Sequence, residues 1–254
     1  MSGIRIIYRG KGHSYTIDGE QADGVTTLIG DGMPKPALIN WAGRVTAGYA
    51  VDHWDELAEM PVSQRLKTLE GARFADRDEA GRRGTEVHAL AEKLLHGEEV
   101  DVPDEIAGHV ESCVRFLDTW RPAPVLTETV VGHRRWRYAG KLDGIADFPG
   151  HGRKVFDFKT ARSGIYGETA LQLSAYIHAE TYVDTNQDEQ PMADLGVDTE
   201  VGFGVWIRAD GFDVYPLQIG DDTFRGFLHV ATVARRARTL RSLVGEAMTA
   251  GEAA

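Results

Sequence analysis

The hydrophobic periodicity of this chain changes character near residue 123, and that change limits the folds open to it. Upstream, residues 36–58, 62–96 and 104–120 carry helix-type patterns, punctuated by Pro36 at the start of the first, Gly97 after the second and Pro122 after the third. Residues 125–160 are rich in Val, Thr, Ile, Phe, Tyr and Trp, with glycines at 132, 140, 144, 150 and 152, and predict three antiparallel strands. A helix is expected over 167–183, an acidic loop over 184–200, strands over 201–218 turning at Ala209-Asp210-Gly211, and a closing helix over 222–248. IRIIYRGKGHSYTIDG, broken by Gly10 and Gly12, predicts a small N-terminal hairpin. This order of elements predicts a mixed α/β (α+β) fold with a helical N-terminal part. The chain has 254 residues, with no internal repeat and no linker-like stretch, so one domain over 1–254 is the simplest organisation.

Composition excludes several classes. Hydrophobic residues make up 42% of the chain, enough for a real core. The formal charge of -11 argues against a uniformly basic nucleic-acid binder, but the acidity is segregated. From Glu128 to Arg162 there are eight Lys or Arg against four Asp or Glu, whereas from Glu180 to Glu200 there are seven acids and no base. The single cysteine, Cys113, rules out an internal disulfide, a cysteine-rich zinc site and a four-cysteine iron–sulfur cluster within the chain, and its helical setting predicts a packing role. No G-x-x-x-x-G-K-[ST] occurs, so neither an ATP-driven motor nor a nucleotide cofactor is expected. No apolar run approaches the roughly 18 residues of a membrane span, and the N-terminus lacks a signal-peptide layout, so a soluble cytoplasmic protein without a membrane partner is expected. DTNQDEQPMADL has a superficial calcium-loop look, but Glu189 stands at the required glycine and Leu195 at the terminal glutamate.

Chemistry-bearing residues gather between 84 and 176. In VFDFKTAR, residues 155–162, strand alternation projects Asp157 and Lys159 to one side and Phe156 and Phe158 to the other. Upstream, RYAGKLDGIADF offers Asp143, with Asp147 on the same face of a regular strand and therefore competing with it. In GTEVHALAEKLL, Gly84, His88 and Glu92 recur every four residues along one helix face. In LQLSAYIHAE, Gln172 and Tyr176 do the same on the helix after the Asp-x-Lys strand. Each signal alone has an ordinary explanation: a solvated ion pair, a turn, a surface histidine. Their order across helix, strand, strand and helix is what raises them above chance.

GTEVH, GKLD, DFK and QLSAY, in this order over about residues 81–180, resemble the successive motifs of the RecB-like branch of the PD-(D/E)XK nucleases, in particular its phage recombination exonucleases. The resemblance implies a restriction-endonuclease-like core over 81–254, a mixed central sheet flanked by helices, preceded by a hairpin and helical part over 1–80. It implies His88, Asp143 and Asp157 as metal ligands, with the Phe158 backbone carbonyl as a fourth, and Lys159 as the catalytic lysine. Gln172 and Tyr176 become contacts to phosphate or base, and Glu128 matches an acidic first-strand position suited to a second metal or a water. Members with an iron–sulfur cluster need four cysteines, so that subtype is excluded. The activity implied is Mg2+- or Mn2+-dependent hydrolysis of phosphodiester bonds at DNA ends, single-stranded or duplex. A recombinase or annealing protein and further copies of the chain are the implied partners. An endonuclease of the same superfamily and a non-catalytic end-binding protein are the alternatives.

The residue types suit this chemistry. A cation held by carboxylates neutralises phosphate charge and activates water, and an imidazole ligand tilts the preference toward manganese. A lysine two residues beyond a ligand reaches the same phosphate. HRRWRY, residues 133–138, suggests DNA contacts through Arg135, Trp136 and Arg137, with a solvated strand as the equal alternative. Arg235, Arg236, Arg238 and Arg241 on the last helix suggest a DNA-facing stripe or an oligomer contact.

Overall fold

The computed structural model describes residues 3–10 and 12–247. Its centre is a ten-stranded mixed sheet with helices on both faces, the class expected from the change of periodicity. Strands β1 (Ile4–Arg9), β2 (Gly12–Ile17) and β3 (Glu20–Gly24) form an antiparallel meander. The expected hairpin is thus extended by a third strand. The turn that adds it, between β2 and β3, is Asp18-Gly19, with φ of 54° and 85°, the positive values a two-residue I′ connection requires.

Four helices follow: α1 (Val25–Gly32), α2 (Pro36–Asp52), α3 (Trp54–Glu59) and α4 (Val62–Leu95). A 3-10 turn at Asp104–Ile106 leads into α5 (Ala107–Trp120), closed by Arg121 in the left-handed region and by Pro122. The three expected strands are β4 (Ala123–His133), β5 (Tyr138–Phe148) and β6 (Gly152–Lys159). Helix α6 (Gly167–Ile177) ends earlier than the expected 183, because Thr181–Val183 becomes β7, pairing with β4 at Val131 and Gly132. The acidic segment is not all loop: Glu189–Pro191 forms β8, paired with β7, before a 3-10 turn at Met192–Leu195. Strands β9 (Val201–Ile207) and β10 (Phe212–Gln218) pair as a hairpin, and α7 (Asp221–Thr239) and a 3-10 turn at Leu240–Leu243 follow. The last helix therefore ends well before the expected 248: the α-helical turn gives way to 3-10 at Leu240, and residues 244–247 are not helical.

Two apolar layers sandwich the sheet. On one face, Leu28 of α1, Leu173 and Tyr176 of α6, and Phe227 of α7 pack on Tyr138, Leu142, Ile145 and Val155. On the other, Val87 and Ala91 of α4 and Cys113 and Phe116 of α5 pack on Phe148, Phe156, Phe158 and Val205. Cys113 is buried, as its helical setting predicts, and burial pushes its thiol up to about 12. Among the described residues no helix is long and apolar enough to cross a membrane.

Candidate active site

The site forms where the sheet splits. Strand β4 covers one edge of β5 along nearly its whole length. On the other edge, β3 pairs in parallel only with Tyr138 and Ala139, and β6 pairs antiparallel only from Gly144 onward. Residues Gly140–Asp143 are left without a strand neighbour on that edge. Side chains from α4, β6 and α6 fill the gap.

Both strands are irregular at this level. Leu142 packs in the α6-side core, yet Ala146 and Phe148, of the same parity, pack in the α4-side core, while Ile145 faces α6. The alternation of β5 therefore changes phase at Asp143–Gly144. A Cβ on Gly144 would lie 2.3 Å from the Phe156 ring, so only glycine admits this course. The register Thr127↔Gly144 and Thr129↔Leu142 places Glu128 of β4 opposite Asp143, and Glu128 has φ 46°, a left-handed conformation that non-glycine residues adopt at a cost. The phase change also settles the competition between the aspartates. Asp143 enters the gap, whereas Asp147 forms a two-point ion pair with Arg153, both contacts at 2.9 Å, away from the cavity.

The predicted residues of α4, β5, β6 and α6 converge on one cavity of about 720 Å³. The His88 Nδ1 stands 3.2 Å from Asp143 Oδ2, which also accepts the Phe158 backbone N–H at 2.9 Å. Phe158 supports the site from behind as well, its ring edge-on to His88 with centroids 6.2 Å apart. Asp157 is 1% exposed; its Oδ1 accepts from Gln172 Nε2 at 2.9 Å, and the Lys159 ammonium lies 2.5 Å from its Oδ2. Lys159 also donates to Gln172 Oε1 at 3.2 Å, and Gln172 Nε2 donates to the Tyr176 hydroxyl at 3.3 Å. Tyr176 is seated against the β5 backbone: a Cβ on Gly140 would stand 2.4 Å from its Cε1.

The electrostatics separate the two aspartates. Burial, then the charge of Asp143, pushes Asp157 up to about 6, against the pull of Lys159 and His88. Asp143 is also penalised by burial, but the His88 hydrogen bond, the charges of His88 and Lys159, and the Phe158 N–H together hold it below the usual carboxylate range. For His88, burial works against the charged form, and Asp143 and Asp157 overcome it, leaving the imidazole above its ordinary value. Burial holds the Tyr176 hydroxyl well above its ordinary value, so it stays a phenol.

Among the described residues no three His, Cys, Asp or Glu side chains stand grouped as a metal site. The chain's own donors engage both carboxylates: His88 and Phe158 on one, Gln172 and Lys159 on the other. The donor chemistry nonetheless fits a divalent cation. Two carboxylates and an imidazole face one cavity, and the buried Asp157 Oδ2 has no hydrogen bond, only the Lys159 charge.

Glu128 lines the same cavity but is ion-paired to Lys141. Lys141, Glu92, His13 and Tyr15 also line the cavity and are not among the site residues the sequence predicts. Lys141 was legible, since it shares the strand parity of Asp143 in GKLD; His13 and Tyr15 come from the distant β2 and leave no local signal.

The basic segments lie elsewhere. Arg135, Trp136 and Arg137 occupy the β4–β5 turn, not a strand, and do not line the cavity. Arg137 pairs with Glu20 at 2.8 Å, Trp136 packs on the core, and Arg135 lies over the Trp136 ring at 5.1 Å. On α7, Arg235 and Arg238 are spent internally: both bind Asp23, at 2.7 and 2.5 Å, and Arg238 also binds Asp31.

No protein-family model matches this chain, and no curated protein does. Among solved structures, the chain is similar to the crystal structure of SSO0001, at 16% identity over 93% of this chain and 83% of that one, with a TM-score of 0.35.

Proposed function

We propose that this protein is a metal-dependent nuclease of the RecB-like PD-(D/E)XK kind, hydrolysing phosphodiester bonds at DNA ends in phage-type recombination or repair. The observation that carries this reading is the convergence of His88, Asp143, Asp157, Lys159, Gln172 and Tyr176, from four separate elements, on one cavity at the split edge of β5. A bound Mg2+ or Mn2+, held by Asp143, Asp157, His88 and the Phe158 carbonyl, would supply phosphate neutralisation and a water activated near neutral pH.

The rest falls to the chain's own groups. Lys159, held by Asp157 and Gln172, presents a fixed positive charge where negative charge builds on the phosphate. The Tyr176 phenol and the Gln172 amide add neutral polar groups that orient the substrate without further charge. His88 and the Phe158 N–H hold Asp143 ionised and oriented.

Incubating linear and covalently closed circular DNA with magnesium or manganese tests the reading. Loss of linear DNA alone, abolished by Asp157→Ala, is expected. Cutting of closed circles would reassign the protein as an endonuclease. Binding without degradation, or degradation indifferent to Asp157→Ala, would overturn the catalytic assignment.

A further inference from the structure

The inward face of the β1–β2 hairpin is one cross-strand stripe. Ile4 pairs with Ile17, Ile6 with Tyr15, and Tyr8 with His13. The first members are core: Ile4, Tyr15 and Ile17 are buried and pack with Ala22 and Ala139. The stripe continues after the core ends, and there it becomes aromatic and open. Tyr8 is 65% exposed and His13 is exposed. The rings are arranged edge to face, Tyr8 to His13 at 6.3 Å and His13 to Tyr15 at 5.1 Å between centroids, with the Tyr15 hydroxyl 3.0 Å from His13 Nε2.

This platform adjoins the candidate active site. His13 and Tyr15 line the cavity that holds Asp157 and Lys159. Tyr8 and Arg5 line an adjoining cavity of about 360 Å³, and the two cavities share Glu128 and Lys141. Together they make one groove from Lys159, over the Glu128–Lys141 ion pair, to Tyr8 and Arg5. Lys141 neutralises Glu128 at the saddle, while Glu92 on one side and Asp184 on the other remain as carboxylates in the groove wall.

We propose that this groove seats a single polynucleotide strand, with a base flanking the phosphate at Lys159 stacked on Tyr8 beside His13. An exposed tyrosine is ordinary by itself. This one ends a core-facing stripe, has its flank held by a second ring, and opens into a groove leading to phosphate chemistry. Base stacking on such a ring needs a base whose face is free, which an unpaired strand provides. The inference rests on the nuclease reading above and names the form of its substrate.

The test is equilibrium binding of a fluorescent single-stranded oligonucleotide, followed by anisotropy in the non-cleaving Asp157→Asn background with magnesium present. Adding Tyr8→Leu should weaken binding roughly 5- to 150-fold, the range for loss of one base–aromatic stack, and Tyr8→Phe should retain it. On an otherwise identical abasic oligonucleotide, Tyr8→Leu should add little further loss. Equal losses on both oligonucleotides, no loss on either, or a fully paired duplex bound as tightly and with the same sensitivity would overturn the inference. Asp157-dependent degradation by the native protein alongside a silent Tyr8→Leu would sink this inference and leave the nuclease reading standing. If the native protein neither degrades nor binds DNA, both fail.

Discussion

Asp157→Asn should make the metal-free protein more stable while removing its activity. The carboxyl is 1% exposed, and burial together with the charge of Asp143 moves it from the ordinary 3.8 to about 6. At about 1.4 kcal/mol per pH unit, ionising Asp157 in the folded state costs about 3 kcal/mol relative to the unfolded chain. The raised value means that the native state keeps a proton the unfolded chain gives up. Stability from this group is therefore full below about pH 4, falls between about pH 4 and 6, and is gone above. An asparagine carries no such charge, and the pull of Lys159 on the carboxylate is already contained in that figure. The gain of about 3 kcal/mol corresponds to a Tm higher by about 6–12 °C for a chain of this size. Calorimetric melts in EDTA at pH 7.5 and 4.5 measure it, with the advantage shrinking by more than half at the lower pH. A variant no more stable than the native protein at pH 7.5, or one whose advantage does not depend on pH, would refute the reasoning.

Three further outcomes are expected. Gly140→Ala drives a Cβ to 2.4 Å from Tyr176 and should cost about 1–3 kcal/mol in urea unfolding, with nuclease activity falling as the ring is displaced. Asp23→Asn strips two arginines of their shared carboxylate and should cost about 1.5–3 kcal/mol at pH 7. Although burial opposes it, the Arg235 and Arg238 contacts hold Asp23 below its ordinary value, so that stability exists above about pH 4 and is lost as pH falls through the depressed value; the variant's acid unfolding curve should lack this contribution. Lys159→Ala should lower turnover on linear DNA by about 10²- to 10³-fold with the fold intact by circular dichroism, and an unchanged rate would remove lysine from the mechanism.

Local periodicity carried much of the fold and the inner part of the site. Strand parity placed Asp157 and Lys159 opposite Phe156 and Phe158, and the i, i+4 rule put His88 and Glu92 on one face of α4, with Val87 and Ala91 left to the core. Parity failed where the backbone departed from regularity: the phase change at Asp143–Gly144 takes Asp147 out of contention, which no regular-strand argument anticipates. Strand β3 (EQADG) shows no apolar alternation and so gives no strand signal of its own, although Asp18-Gly19 is a strong hairpin signal. The α7 arginines looked free because their partners, Asp23 and Asp31, lie more than two hundred positions away in the chain. His13, Tyr15 and the split edge of β5 depend on tertiary pairing alone.

The most direct measurement is Mn2+ binding followed by electron paramagnetic resonance on the purified protein. The account predicts saturable binding at the cavity that Asp143→Ala and Asp157→Ala abolish and His88→Ala weakens. Native protein that leaves the free Mn2+ signal undiminished, or binding that survives loss of both aspartates, would contradict it.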